Sequence, residues 1–116
     1  MKNLISCNQF TKENLEELFD LADSMKKNPE NYTETLKGKL ISVMFFEPST
    51  RTRMSFEAAI ERLGGKMIIT ENGKENSSAR KGETIEDTIK VLAGYTDAII
   101  MRHSRDGSAE VAASVS

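Results

Sequence analysis

The chain has 116 residues, 38% of them hydrophobic and 29% charged, with a formal net charge of −2. That length allows one domain with a modest core, and the composition excludes a disordered chain and a broadly basic nucleic-acid surface. No apolar run is long enough to span a bilayer, and Met1 to Ser6 lack the apolar core of a secretion signal.

The first element is a helix opened by Phe10-Thr11, with Thr11 as N-cap, Glu13 in the first turn and Phe10 placed to staple onto Leu15. Leu15, Leu18, Phe19, Ala22 and Met25 recur at helical spacing, so this stripe reads as core or interface. Lys26-Lys27 suits the negative end of the helix, and Pro29 follows its stop. Cys7, just upstream, is the single cysteine and is expected to pack as a small apolar residue. It cannot form an internal disulfide, and no Cys/His cluster offers a metal site; both features point to a reducing cytoplasm. Asn28 to Gly38 reads as a loop, with one helical turn around Thr33 to Leu36.

Leu40 to Phe46 is the first strand, apolar on both faces apart from Ser42, as in a covered parallel sheet. Met54 to Leu63 reads as a helix with Phe56, Ala59, Ile60 and Leu63 on one face, closed by Gly64-Gly65. Lys66 to Thr70 is the second strand, which completes a right-handed βαβ unit. Glu71 to Gly82 is a polar loop, long enough to suggest a functional role. Glu83 or Thr84 starts a helix carrying Ile85, Ile89, Leu92 and Ala93. Asp97 to Met101 is the third strand, with Arg102-His103 at its carboxyl end, and a further helical pattern begins at Gly107. The fold class expected is α/β, an open parallel sheet with flanking helices. The pattern stops without a cap, a stop signal or a closing strand.

Open parallel sheets bind ligands outside the carboxyl ends of their strands. The first strand here ends in Phe45-Phe46-Glu47-Pro48-Ser49-Thr50-Arg51-Thr52-Arg53, the second in the loop with Ser77, Ser78 and Lys81, and the third at Arg102-His103. Where a strand turns into a helix, the first turn leaves N–H groups unpaired and carries the positive end of the dipole. Ser49, Thr50 and Thr52 add hydroxyl donors, and Arg51 adds a planar fork that matches two oxygens of an oxyanion. A helix cap alone would need one hydroxyl. Phosphate is the natural guest. Arg51 and Arg53 stand two apart, so a helix turns them to roughly opposite sides. Arg51 is expected in the site, and Arg53 is expected to tie the helix to a neighbouring carboxylate or carbonyl. Arg102 follows an apolar strand and needs an anionic partner there. Lys81, taken alone, reads as a solvated loop lysine, and His103 reads as structural. The set favours positioning and charge stabilisation over covalent catalysis.

The run Ser49-Thr50-Arg51-Thr52-Arg53, with Ser55-Phe56-Glu57 and Arg62-Leu63-Gly64-Gly65, resembles the carbamoyl-phosphate-binding half of the aspartate/ornithine carbamoyltransferases. Glu47-Pro48, Ser77-Ser78-Ala79-Arg80-Lys81-Gly82-Glu83 and Met101-Arg102-His103 look like the branch that carbamoylates aspartate rather than ornithine. The resemblance implies transfer of a carbamoyl group from carbamoyl phosphate to the amine of L-aspartate, an early step of pyrimidine synthesis, with no cofactor. It implies that Ser49, Thr50, Arg51 and Thr52 hold the phosphate, with Arg51 stabilising its departure. Thr52 and Arg102 would reach the carbonyl oxygen. Lys81 and Ser78 (or Ser77) would enter the active site of a neighbouring subunit in a homotrimer, and Glu47 would pair with a second domain on closure. Partners beyond the two substrates would include neither nucleic acid nor membrane, while a regulatory subunit stays open. The family's His-Pro-x-Gln segment and its aspartate-binding domain have no match here, so the resemblance implies that residues 1–116 are an incomplete first domain of a two-domain enzyme, expected to be inactive alone. Two other readings compete: a family member with ornithine or another amine as acceptor, and a non-catalytic domain that binds a phosphorylated ligand.

Overall fold

In the computed structural model, which describes residues 3–71 and 84–116, Leu40–Phe45 forms β1, the central strand of a three-stranded parallel sheet. It lies between β2 (Lys66–Glu71) and β3 (Ala98–Arg102), in the order β2-β1-β3. The register sets Leu40 beside Lys66 and Ile41 beside Ala98, and ends with Phe45 beside Arg102. Paired on both edges and covered on both faces, β1 is the most buried element, which is why its sequence is apolar without alternation.

Successive side chains of β1 serve two cores. Ile41, Val43 and Phe45 pack on Ile60 of α2 (Thr50–Arg62), with Met67 and Ile100 at the margin. Met44 packs on Ile89 and Leu92 of α3 (Ile85–Ala93), joined by Ala112 and Val115 of α4 (Ser108–Val115). The sheet is therefore sandwiched between α2 on one side and α3 with α4 on the other, as the βα alternation implies. Ser42 is buried under this second layer, and its hydroxyl has no hydrogen-bond partner among the described residues. Such a group costs about 1–3 kcal/mol.

The α2 helix begins at Thr50, a turn earlier than its apolar pattern suggests. Ser and Thr are weak helix formers, which hides the first turn from a propensity argument. Of its expected apolar face only Ile60 is buried; Phe56 remains 41% exposed. The helix stops at Gly64, whose φ of +84° is left-handed and whose added Cβ would clash with the carbonyl oxygen of Thr33.

Helix α1 (Lys12–Lys27) has the expected cap: the Asn14 N–H donates to Thr11 Oγ1 at 3.1 Å, and the Thr11 N–H donates back to Asn14 Oδ1 at 3.2 Å. Its apolar stripe is not core in this chain, since none of its residues is buried and Phe19 is 60% exposed. Its main contact is the 3₁₀ turn Pro29–Tyr32, where Ser24 Oγ and Tyr32 Oη lie 2.7 Å apart. That turn forms four residues earlier than the one expected at Thr33, because Pro29 pre-sets φ at its first position. Cys7 is exposed rather than packed: it opens a polar 3₁₀ turn, Cys7–Gln9, that is boxed by the side chains of Ser6 and Gln9. Most of the loop expected from Glu71 to Gly82 lies outside the described residues.

Candidate functional site

The carboxyl ends of β1 and β3 meet through backbone and side chains. The Phe46 N–H donates to the Arg102 carbonyl at 2.8 Å, extending the ladder one step beyond β1. Parallel register thereby sets Phe46 beside His103, whose rings lie 5.0 Å apart, and brings Glu47 to the Arg102 side chain. Arg102 Nε donates to Glu47 Oε1 at 2.7 Å. Its other arm, Nη1, donates to Ser49 Oγ at 2.9 Å. The anionic partner that Arg102 needs is thus Glu47, supplied by the neighbouring strand end.

The second of these bonds changes what Ser49 does. It stands at the N-cap position of α2, yet its side chain makes no capping hydrogen bond. The first intrahelical bond runs from the Arg53 N–H to the Ser49 carbonyl at 2.9 Å. The N–H groups of Thr50, Arg51 and Thr52 precede it, so the helix itself offers them no acceptor. With Arg102 donating to the Ser49 oxygen, the hydroxyl proton of Ser49 is left to donate elsewhere. Three backbone donors, a hydroxyl donor and the helix dipole therefore stand at one strand end.

Arg51 sits in this first turn, exposed. Arg53 points into the protein: its Nε lies 3.5 Å from Glu57 Oε2, one turn along, and both side chains are mostly buried. Arg53 ties the helix to a carboxylate, as expected from the spacing, while Arg51 stays exposed in the first turn. Thr52 is half-buried and Thr50 exposed, both in the same first turn. The Thr52 carbonyl accepts from Ser55 Oγ at 2.7 Å.

The structure thus brings Ser49, Thr50, Arg51, Thr52 and Arg102 together. Ser77, Ser78 and Lys81 lie outside the described residues. Glu47 as the holder of Arg102 was missed by the sequence reading. The signal was present in the register, because a parallel ladder ending at Phe45 and Arg102 leaves Glu47 two residues from Arg102. Among the described residues no group of His, Cys, Asp or Glu is placed to hold a metal ion, and no helix is long and apolar enough to cross a membrane. A cavity of about 400 Å³ lies elsewhere, between β3, α3 and α4, walled by Ile89, Ala93, Ile99, Met101 and Ala112. It lacks the convergent cationic donors an oxyanion needs. Chemically, the strand-end site fits a tetrahedral oxyanion, with Arg51 beside it and Arg102 held back by a carboxylate.

The chain is similar to known proteins over nearly its whole length. The family model described as "Aspartate/ornithine carbamoyltransferase, carbamoyl-P binding domain" matches residues 2–116. The aspartate carbamoyltransferase catalytic subunit of Clostridium novyi is 52% identical over 111 residues, which cover 96% of this chain and 36% of that protein. The chloroplastic aspartate carbamoyltransferase of Arabidopsis thaliana is 50% identical over 115 residues, 97% of this chain and 30% of the relative. Among solved structures, the catalytic subunit of aspartate transcarbamoylase from M. jannaschii superposes with a TM-score of 0.92 at 43% identity, covering 100% of this chain and 39% of that one. The aspartate transcarbamoylase of Trypanosoma cruzi, solved in complex with carbamoyl phosphate and aspartate, gives 0.89 at 38% identity, over 99% of this chain and 38% of that one. The chain spans about a third of the length of these relatives.

Proposed function

Because this chain belongs to the aspartate/ornithine carbamoyltransferase family, we propose that it is part of the carbamoyl-phosphate-binding domain of an enzyme that carbamoylates L-aspartate. The products are N-carbamoyl-L-aspartate and phosphate, and the pathway is pyrimidine synthesis. The observation that carries the reading is the uncapped start of α2, where Ser49 is turned to Arg102 and the first-turn donors are left for an anion. The Trypanosoma structure with both substrates bound supports the choice of ligands.

In this reading Ser49, Thr50, Arg51 and Thr52 hold the phosphate group of carbamoyl phosphate. The aspartate nitrogen attacks the carbonyl carbon and sheds a proton as the C–N bond forms. The carbonyl oxygen gains negative charge, met by Thr52 and by Arg102 once it leaves Glu47. The C–O bond to phosphate then breaks, the phosphate takes up the proton shed by the nitrogen and departs as the dianion, and Arg51 stabilises its charge. The substrate is already activated, so the work is orientation and electrostatic stabilisation, and no cofactor takes part. The remaining parts of the reading are a second domain that binds aspartate, a cytoplasmic location, and a homotrimer in which Ser78 (or Ser77) and Lys81 complete a neighbour's site.

Assaying the protein with carbamoyl phosphate and either aspartate or ornithine tests the reaction. Faster turnover of ornithine would replace the acceptor, and no turnover of either would leave a phosphate-ligand-binding domain. For subunit sharing, subunits carrying Arg51→Ala are mixed with subunits carrying Lys81→Ala. Hybrid trimers should recover activity that neither parent has, because some sites then receive both wild-type residues. Mixtures as inactive as their parents would remove Lys81 from the shared site.

A further inference from the structure

We infer that His103 is a positioning residue for Arg102, acting through an unprotonated Nδ1 that fixes the turn after β3; the role in transfer rests on the function proposed above. The Arg105 N–H donates to His103 Nδ1 at 3.0 Å. A ring nitrogen that accepts carries no proton, so the imidazole is neutral with its proton on Nε2. The bond links a side chain to the backbone two residues on, the pattern that Asn and Asp use in an Asx turn.

The same residue is held from its other side, through the next peptide. The Arg105 carbonyl accepts from Ser108 Oγ at 2.7 Å and from the Ser108 N–H at 3.3 Å. Ser108 is 5% exposed and is the first residue of α4. His103 and Ser108 therefore clamp the backbone on both sides of Arg105, between the end of β3 and the helix that covers the second core. The imidazole also packs on Phe46 at 5.0 Å, with the ring planes at 48°. Phe46 precedes Glu47, and its N–H holds the Arg102 carbonyl. So His103 touches both strands where Glu47 and Arg102 meet. It sets the backbone from which the exposed Arg102 guanidinium reaches either Glu47 or a ligand.

The turn is sensitive to protonation, because a proton on Nδ1 removes the acceptor. Among the described residues, the charged groups that share its cleft are Glu47 from the end of β1, Arg102 from β3, Arg105 and Asp106 from the turn, and Glu110 from α4. A protonated His103 would stand in sequence between two arginines and could no longer hold the Arg105 N–H.

The test compares His103→Ala with His103→Asn in the protein as produced from its own gene. Asn keeps an acceptor at the Asx-turn distance and does not titrate. We expect His103→Ala to lower kcat/KM for carbamoyl phosphate at least about tenfold, and His103→Asn to stay within about threefold of wild type at neutral pH. As the pH is lowered, the ratio of wild-type to His103→Asn activity should fall, and the titration of the substrate cancels from that ratio. Either of two results overturns the inference: His103→Asn as impaired as His103→Ala, or a ratio that is flat with pH. A ¹⁵N NMR measurement of the wild-type ring does not depend on any variant folding. It should show Nδ1 unprotonated at neutral pH; a proton on Nδ1 would contradict the inference directly. If the wild type transfers no carbamoyl group to any amine, the function proposed above fails. The ring measurement, together with inorganic phosphate affinities of the same three proteins, then decides the role of His103.

Discussion

Helices α2 and α3 both open on a hydroxyl residue, and the two openings behave differently. Thr84 has the extended backbone of an ordinary cap (φ −85°, ψ 166°), and its Oγ1 accepts from the Asp87 N–H at 3.1 Å. Thr11 caps α1 in the same way. Ser49 has ψ at 72°, makes no cap, and accepts from Arg102 across the sheet instead. A cap satisfies an orphan donor and stabilises the helix by about 1 kcal/mol. At α2 that stabilisation is forgone, and the donors stay open at the strand end where an open parallel sheet takes its ligand. One kind of opening serves the fold; the other is the one proposed above to take an anion.

Four substitutions break or sharpen this contrast, in falling order of effect. Arg51→Ala removes the charge beside the open donors while leaving the core untouched, since Arg51 is exposed. We expect kcat/KM to fall by roughly 10²–10³ with little change in the urea midpoint; a loss of less than about tenfold would take Arg51 out of the site. Ser49→Ala should weaken inorganic phosphate binding about tenfold, yet cost only about 0.5–1.5 kcal/mol of stability, as no cap is lost. Calorimetry and urea unfolding of the same sample read both quantities. Thr11→Ala is the mirror case: about 1 kcal/mol less stable, with phosphate affinity unchanged. If Ser49→Ala and Thr11→Ala gave the same two-part result, the contrast between the helix openings would collapse. Glu47→Gln loosens the hold on Arg102 and removes a negative charge near the bound anion. A few-fold gain in phosphate affinity is expected, larger at low salt because partly exposed charges are screened; a weaker affinity would mean that Glu47 orients Arg102 for the ligand rather than restraining it.

Much of this was legible in the residues. The continuous apolar run Leu40 to Phe46 marked a covered parallel strand, and Gly64 marked the helix stop. The two-residue spacing of Arg51 and Arg53 turned Arg53 toward a structural role, and Glu57 is the partner found. What was hidden depends on distance in sequence. The start of α2 at Thr50 is set by its docking between strand ends, against weak local propensity. The Glu47–Arg102 pair spans 55 residues and is visible only through strand register. The α1 stripe has the period of a buried face, but periodicity cannot say what covers it, and within this chain its residues stay exposed.

The most direct test of the account is a titration of the protein with inorganic phosphate, followed through its backbone amide resonances. The account predicts saturable shifts of the Arg51 and Thr52 amides, with the Asn14 and Asp87 amides, which are already capped, unmoved. Absence of a saturable shift at Arg51 and Thr52, or equal shifts at Asn14 and Asp87, would contradict the claim that the start of α2 is built to bind an anion.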